Sequence, residues 1–125
     1  MDRPHKRLVA WQASIDLVET IYTLTSGFPE SEKLGLVSQM RRAGVSVASN
    51  LAEGAARAGL REQAQFFIMS KSSLSELDTQ LEISARLSLG NNELRDKVLD
   101  QLNHVSALIQ GLINQKKRLL DHSAT

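Results

Sequence analysis

SEKLGLVSQMRRAGVSVASNLAEGAAR, residues 31–57, decides the fold. Pro29 closes what precedes it, Ser31 is a capping residue type, and Glu30 and Glu32 suit the positive end of a helix dipole. No further proline follows, so the stretch reads as one helix from Ser31, about 40 Å long at 1.5 Å rise per residue. Leu36, Met40, Ala43, Val47 and Leu51 step by four, three, four and four, which places them on one core-facing stripe. Gln39, Arg42, Ser46, Ser49, Asn50 and Glu53 keep similar steps a little further round the cylinder. Between the two faces Ala43, Gly44, Ala48, Ala52, Gly54, Ala55 and Ala56 remove bulk, so neighbouring helices can approach closely. A mid-helix glycine such as Gly44 costs up to about 1 kcal/mol, which close approach would offset.

Outward from this stretch the chain continues as amphipathic helix. Residues 1–7 are polar and mostly basic and read as a mobile arm, with a first helix starting near Leu8. Trp11, Ile15, Val18 and Tyr22 form one stripe on it, and Leu17, Ile21 and Leu24 a second beside it, wider than a single seam. Gly27 ends that helix, and Phe28 is placed to plug this end of the core. The glycines at 54 and 59 mark the next turn, and a third helix starts near Leu60. Phe67, Ser70, Leu74, Leu77, Leu81 and Ala85 repeat at helical spacing until Gly90 stops it. Asn91 or Asn92 then caps a fourth helix carrying Leu94, Val98, Leu102, Val105, Ile109 and Leu112, and the tail from Asp121 (residues 121–125) frays. Four long helices with short connections predict an all-α fold, an antiparallel up-down-up-down four-helix bundle forming one domain over residues 1–125.

At 125 residues and 42% hydrophobic content the chain can bury a core without staples. With no cysteine it has neither disulfide nor thiolate metal ligand. The N-terminus lacks the apolar run of a signal peptide, and no segment approaches the roughly 20 apolar residues of a membrane span, so the expected location is the cytoplasm.

FPESEKLGLVSQMRRAGVSVASNLAEGAAR followed by FFIMSKSSLSELDTQLEISARL closely resembles small bacterial four-helix-bundle proteins named for genes found inside 23S rRNA intervening sequences. The resemblance extends to the accessory variability determinant of diversity-generating retroelements, which shares the fold, and runs from Leu8 to about Leu120. An alanine is more usual in the family where this chain has Gly44. The resemblance implies a homopentameric barrel. For retroelement members it also implies a basic surface that binds nucleic acid, with a reverse transcriptase as partner in that context.

Net charge is +1, too near zero to argue for nucleic acid by itself, so the placement of charge matters. Up-down topology gathers Arg3, Lys6, Arg7, Arg57, Arg61, Lys116, Lys117 and Arg118 at one pole, opposed by Asp2, Glu53, Glu62 and Asp121. The other pole sets Lys33, Arg86, Arg95 and Lys97 against Glu30, Glu32, Glu93 and Asp96 and cancels. Lys116, Lys117 and Arg118 also answer the dipole of their own helix C-terminus, a reading that needs no ligand. With no zinc-finger, aromatic RNA-binding or glycine-rich clamp motif, a basic pole of this kind would bind RNA or DNA through phosphates, weakly and with little base preference. The alternative is a protein-protein scaffold that binds no nucleic acid.

Pairing the second and third helices as a hairpin sets Arg42 opposite Glu76 and Ser46 opposite Ser72. A shielded Arg42–Glu76 pair would fix helix register. Trp11, Tyr22, Gln39, Arg42, Asn50, Glu53 and Glu76 are thus candidate structural or subunit-interface residues, and Arg42→Ala is expected to destabilise or disassemble the protein. Catalysis is not expected. His5, His104 and His122 are scattered, Asp100 and His104 make at most half a metal site, and Ser72, Ser73 and Ser75 have no histidine at matching depth. No cofactor or metal is implied.

Overall fold

The computed structural model describes residues 3–123. Four helices, α1 (Val9–Ser26), α2 (Ser38–Ala56), α3 (Leu60–Arg86) and α4 (Asn92–Ser123), form an all-α bundle. Each helix runs against its sequence neighbour. Gly44 of α2 lies against Ile21 and Val18 of α1, Ser46 bonds Ser73 of α3, and Arg95 of α4 bonds Ser84 of α3. Rising numbers on one helix meet falling numbers on the next, as in Arg41–Thr25 and Gly44–Ile21, Ser46–Ser73 and Gly54–Phe67, and Arg95–Ser84 and Gln110–Lys71, and α4 packs against α1.

The core is built from the stripes that the periodicity marks. Leu17, Ile21 and Leu24, then Met40, Val47 and Leu51, then Phe67, Leu74, Leu77 and Leu81, then Val98, Val105 and Ile109 are all buried. Burial of each such side chain contributes about 1.5–3 kcal/mol relative to exposure, and these terms hold the four cylinders together. Phe28 is buried at the end of α1 and lies where a Cβ on Gly90 would fall, 2.6 Å from its ring. Gly90 also carries φ +75°, so both space and backbone call for glycine there. Asn91 caps α4, its Oδ1 accepting from the Leu94 N–H at 2.9 Å.

Three expectations are corrected, namely the start of the second helix, the Arg42–Glu76 pair and the meeting of Ser46 with Ser72. The second helix is not continuous from Ser31. Glu30–Glu32 form a 3-10 turn and Lys33–Val37 a widened π-type turn, in which Gly35 leaves the helical basin (φ −106°, ψ −106°) before α2 begins at Ser38. Glycine is the residue at which a helix breaks most cheaply, and the break leaves Leu34 92% exposed. Ser31 makes no side-chain cap bond.

Arg42 and Glu76 are both exposed, and no hydrogen bond or ion pair joins them among the described residues. The α2–α3 register is held instead by neutral bonds, Ser46 Oγ to Ser73 Oγ at 2.8 Å and Ser70 Oγ donating to Val47 O at 2.7 Å. Ser73, not Ser72, therefore faces Ser46.

Within the basic arm, Pro4–Arg7 form one 3-10 turn tied to the bundle. Gln12 Nε2 donates to Lys6 O at 2.9 Å, and the His5 ring meets Trp11 edge-on at 4.9 Å. Residues 1 and 2 of that arm, and residues 124 and 125 of the tail expected to fray, lie outside the described residues.

Candidate nucleic-acid interface

The basic pole is assembled by chain direction. The turn before α1, the α2–α3 connection and the last turns of α4 all arrive at the same end of an antiparallel bundle. Arg3, Lys6, Arg7, Arg57, Arg61, Lys117 and Arg118 are exposed there and Lys116 is half-buried. Their carboxylate neighbours among the described residues are Glu53, Glu62 and Asp121, since Asp2 lies outside them.

Arg57 is tightly positioned. Its N–H closes α2 on Gly54 O at 3.2 Å, and its carbonyl accepts from Gln63 Nε2 at 2.7 Å. Its guanidinium donates to Glu53 Oε2 at 3.0 Å while lying over the Phe66 ring, 4.8 Å from the centroid. That ion pair is exposed and screened by salt, so it fixes geometry more than it adds stability. Glu53, a candidate interface residue, thus belongs to the pole and partly offsets Arg57.

At the opposite end one of the four cations is interior. Arg95 is 9% exposed. Its Nε donates to Ser84 Oγ at 3.1 Å, Nη1 to Asn92 Oδ1 at 2.6 Å, and Nη2 to the carbonyls of Leu89 and, at 3.5 Å, Ser84. The fork satisfies the Leu89 carbonyl just beyond α3 and shares the Ser84 carbonyl, which already accepts from the Leu89 N–H at 2.9 Å. Lys33 and Arg86 remain outside, each near a carboxylate, Glu30 at 3.7 Å and Glu82 at 3.6 Å. The formal charge of this end is thus the one the sequence count gives, with one of its cations withdrawn from the surface.

The candidate interface residues do not converge. Trp11 is half-buried in a shallow groove between α1 and α2, of about 330 Å³, lined also by His5, Ile15, Val18, Val45, Ala48 and Ala52. Tyr22 is 41% exposed further along the same face, beside a second hollow that includes Leu34, Arg42 and Val45. Asn50 is half-buried and turned onto its own helix, Nδ2 donating to Ser46 O at 2.9 Å and to Ser46 Oγ at 3.1 Å. Gln39 is exposed, and Glu76 lies apart on α3, where its carboxylate receives Gln80 Nε2 at 3.5 Å.

The sequence reading missed Arg41. Its Nε donates to Thr25 Oγ1 at 2.9 Å, its Nη2 reaches Tyr22 O and Ser26 Oγ at 3.4 and 3.3 Å, and its guanidinium covers the Tyr22 ring at 4.3 Å. Gly44 carried the signal that could have found it. A residue three positions before the glycine on which α1 packs shares that side of α2, whereas Arg42, one position on, is exposed. Lys71 was also passed over, and it is half-buried between α3 and α4.

Among the described residues no three His, Asp or Glu side chains converge in a way that could hold a metal ion, and no helix is long and apolar enough to cross a membrane. A search of curated proteins finds no match to this chain. The family described as 23S rRNA-intervening sequence protein matches residues 6–111, most of the α1–α4 bundle, and the chain belongs to that family.

Proposed function

We propose that the protein is a non-enzymatic accessory factor of the bacterial cytoplasm, gathering as a homo-oligomer and holding RNA or DNA against the combined basic poles of its subunits. One observation carries this reading. Eight basic side chains are grouped at one end of the bundle, while Arg95 at the other end is withdrawn into the interior. A single exposed pole of this kind binds phosphate feebly in physiological salt, but a ring repeats it once per subunit. Five-fold closure is the number that family resemblance suggests. A reverse transcriptase enters as partner only where the gene sits in a retroelement.

A second reading has its own observation. Tyr22 of α1, Val45 of α2 and Leu34 of the turn before α2 expose apolar surface around one hollow, which suits a scaffold for protein contacts as well as for self-association. Light scattering at micromolar concentration, followed by titration of labelled RNA and duplex DNA at low salt, separates the two. The proposal expects a mass of five chains and binding that weakens steeply with salt. A stable oligomer that binds neither nucleic acid at low salt would favour the scaffold, and a compact single chain of 13.8 kDa would remove the ring.

A further inference from the structure

The groove between α3 and α4 has a chemistry that the pole alone does not explain. It is an open groove of about 380 Å³, lined by Lys71, Ser72, Ser75, Gln110 and Lys117 over an apolar floor of Ile68 and Ile113. None of the residues lining it is a carboxylate. Lys71 Nζ donates to Gln110 Oε1, and Gln110 Nε2 in turn donates to Asn114 Oδ1 at 2.9 Å. That second bond sets the glutamine amide with its oxygen toward Lys71. The ammonium is thus held in place by a neutral acceptor, which orients it without cancelling its charge. Ser72 and Ser75 donate to backbone carbonyls at 3.2 and 3.5 Å, long enough for either hydroxyl to turn toward a better acceptor.

We infer that this groove is a phosphodiester subsite, in which one backbone phosphate of a bound nucleic acid lies between Lys71 and Lys117 and takes hydroxyl bonds from Ser72 or Ser75. Two ammonium groups, two hydroxyls and no competing carboxylate match a phosphate's charge and acceptor oxygens, and the apolar floor strengthens the attraction relative to open water. Continuity favours a nucleic acid over an acidic protein segment. Lys117 belongs to both the groove and the basic pole, and Lys71 lies about 15 Å along α3 from Arg61 at 1.5 Å rise per residue. A strand leaving the pole has the groove directly in its path. The inference rests on the nucleic-acid reading above and extends it from the end of the bundle to its side.

Anisotropy of a labelled single-stranded RNA, titrated between about 20 and 200 mM salt, tests it. Lys71→Gln is expected to weaken binding several-fold at low salt and to reduce the log–log salt slope by about 0.7, the value for one lost phosphate contact on a single strand. Lys71→Arg should keep the wild-type slope, which separates lost charge from lost packing, and Lys97→Gln at the opposite pole should change nothing. Circular dichroism and mass of each variant confirm that it is folded and assembled. Wild-type-like binding by Lys71→Gln overturns the groove and leaves the pole reading standing, whereas no wild-type binding at the lowest salt overturns both. Should inorganic phosphate alone shift the Ser72 amide resonance while Lys71→Gln leaves RNA affinity unchanged, the groove takes free phosphate and the inference falls.

Discussion

Truncating Arg95 should cost more stability than truncating any other cation at its end of the bundle. Its guanidinium is buried against Ser84, itself fully buried, and against the carbonyl of Leu89, while the Asn92 contact at 2.6 Å sits nearer solvent. Hydrogen bonds from a charged donor are worth about 1.5–3 kcal/mol each, and a buried acceptor left without a partner costs about 1–3 kcal/mol. The full sum is not reached. Ser84 keeps its own bond to Leu81 O at 2.7 Å, and removing the side chain also removes the desolvation that Arg95 suffers. Arg95→Ala is therefore expected to lose about 2–4 kcal/mol, which at roughly 4 °C per kcal/mol for a domain of this size lowers Tm by about 8–16 °C. Arg95→Lys, able to reach one acceptor but not to fork, should fall between. Arg86→Ala is the control, since its side chain is 80% exposed and 3.6 Å from Glu82, and it should stay within about 0.5 kcal/mol of wild type. Thermal melts by circular dichroism read all three. An Arg95→Ala melt within about 2 °C of wild type, or no lower than that of Arg86→Ala, would refute the reasoning.

The two buried glycines of α2 should respond differently to alanine. A Cβ at Gly54 would stand 2.7 Å from Cε1 and 2.9 Å from Cδ1 of the buried Phe67 ring, and Gly54→Ala should lose about 1–3 kcal/mol in a denaturant titration. At Gly44 the obstacle is the Cδ1 tip of Ile21 at 2.7 Å, which can move, and alanine gains up to about 1 kcal/mol of helix propensity, so Gly44→Ala should be much milder. Of the adjacent arginines, Arg41→Ala should cost about 1–2 kcal/mol through its lost bonds to Thr25 and the Tyr22 ring. Arg42→Ala should leave the melting temperature of the subunit within about 2 °C, contrary to what a buried Arg42–Glu76 pair would give.

Most of the fold was legible because its signals are local. Gly27 and Asn91 mark the end of α1 and the start of α4, and the apolar stripes give the core without knowledge of the neighbours, whereas α3 ends at Arg86, before the Gly90 that the sequence suggests as its stop. What was not legible depends on helical phase and on contacts distant in sequence. One residue is about 100° of rotation, enough to exchange the inward Arg41 for the outward Arg42. Ser46 meets Ser73 and not Ser72 for the same reason, since how two helices pair in depth is fixed by packing such as Phe67 on Gly54. Arg95 reads as a surface charge because charge alone says exposed, and its burial is visible only once the Ser84 hydroxyl and the Leu89 carbonyl are seen beside it. Gly35 could be read as a weak point, but only the turn geometry shows α2 starting at Ser38.

The basic pole is also where the central claim is most open to attack, through the three consecutive cations near the end of α4. The decisive measurement is the salt dependence of RNA affinity for wild type and for Lys116→Gln/Lys117→Gln/Arg118→Gln, compared at equal oligomeric mass. The account predicts a wild-type log–log plot that falls steeply and a triple variant whose slope is shallower by about 2, three lost contacts at about 0.7 each. Equal slopes and equal affinities would contradict it.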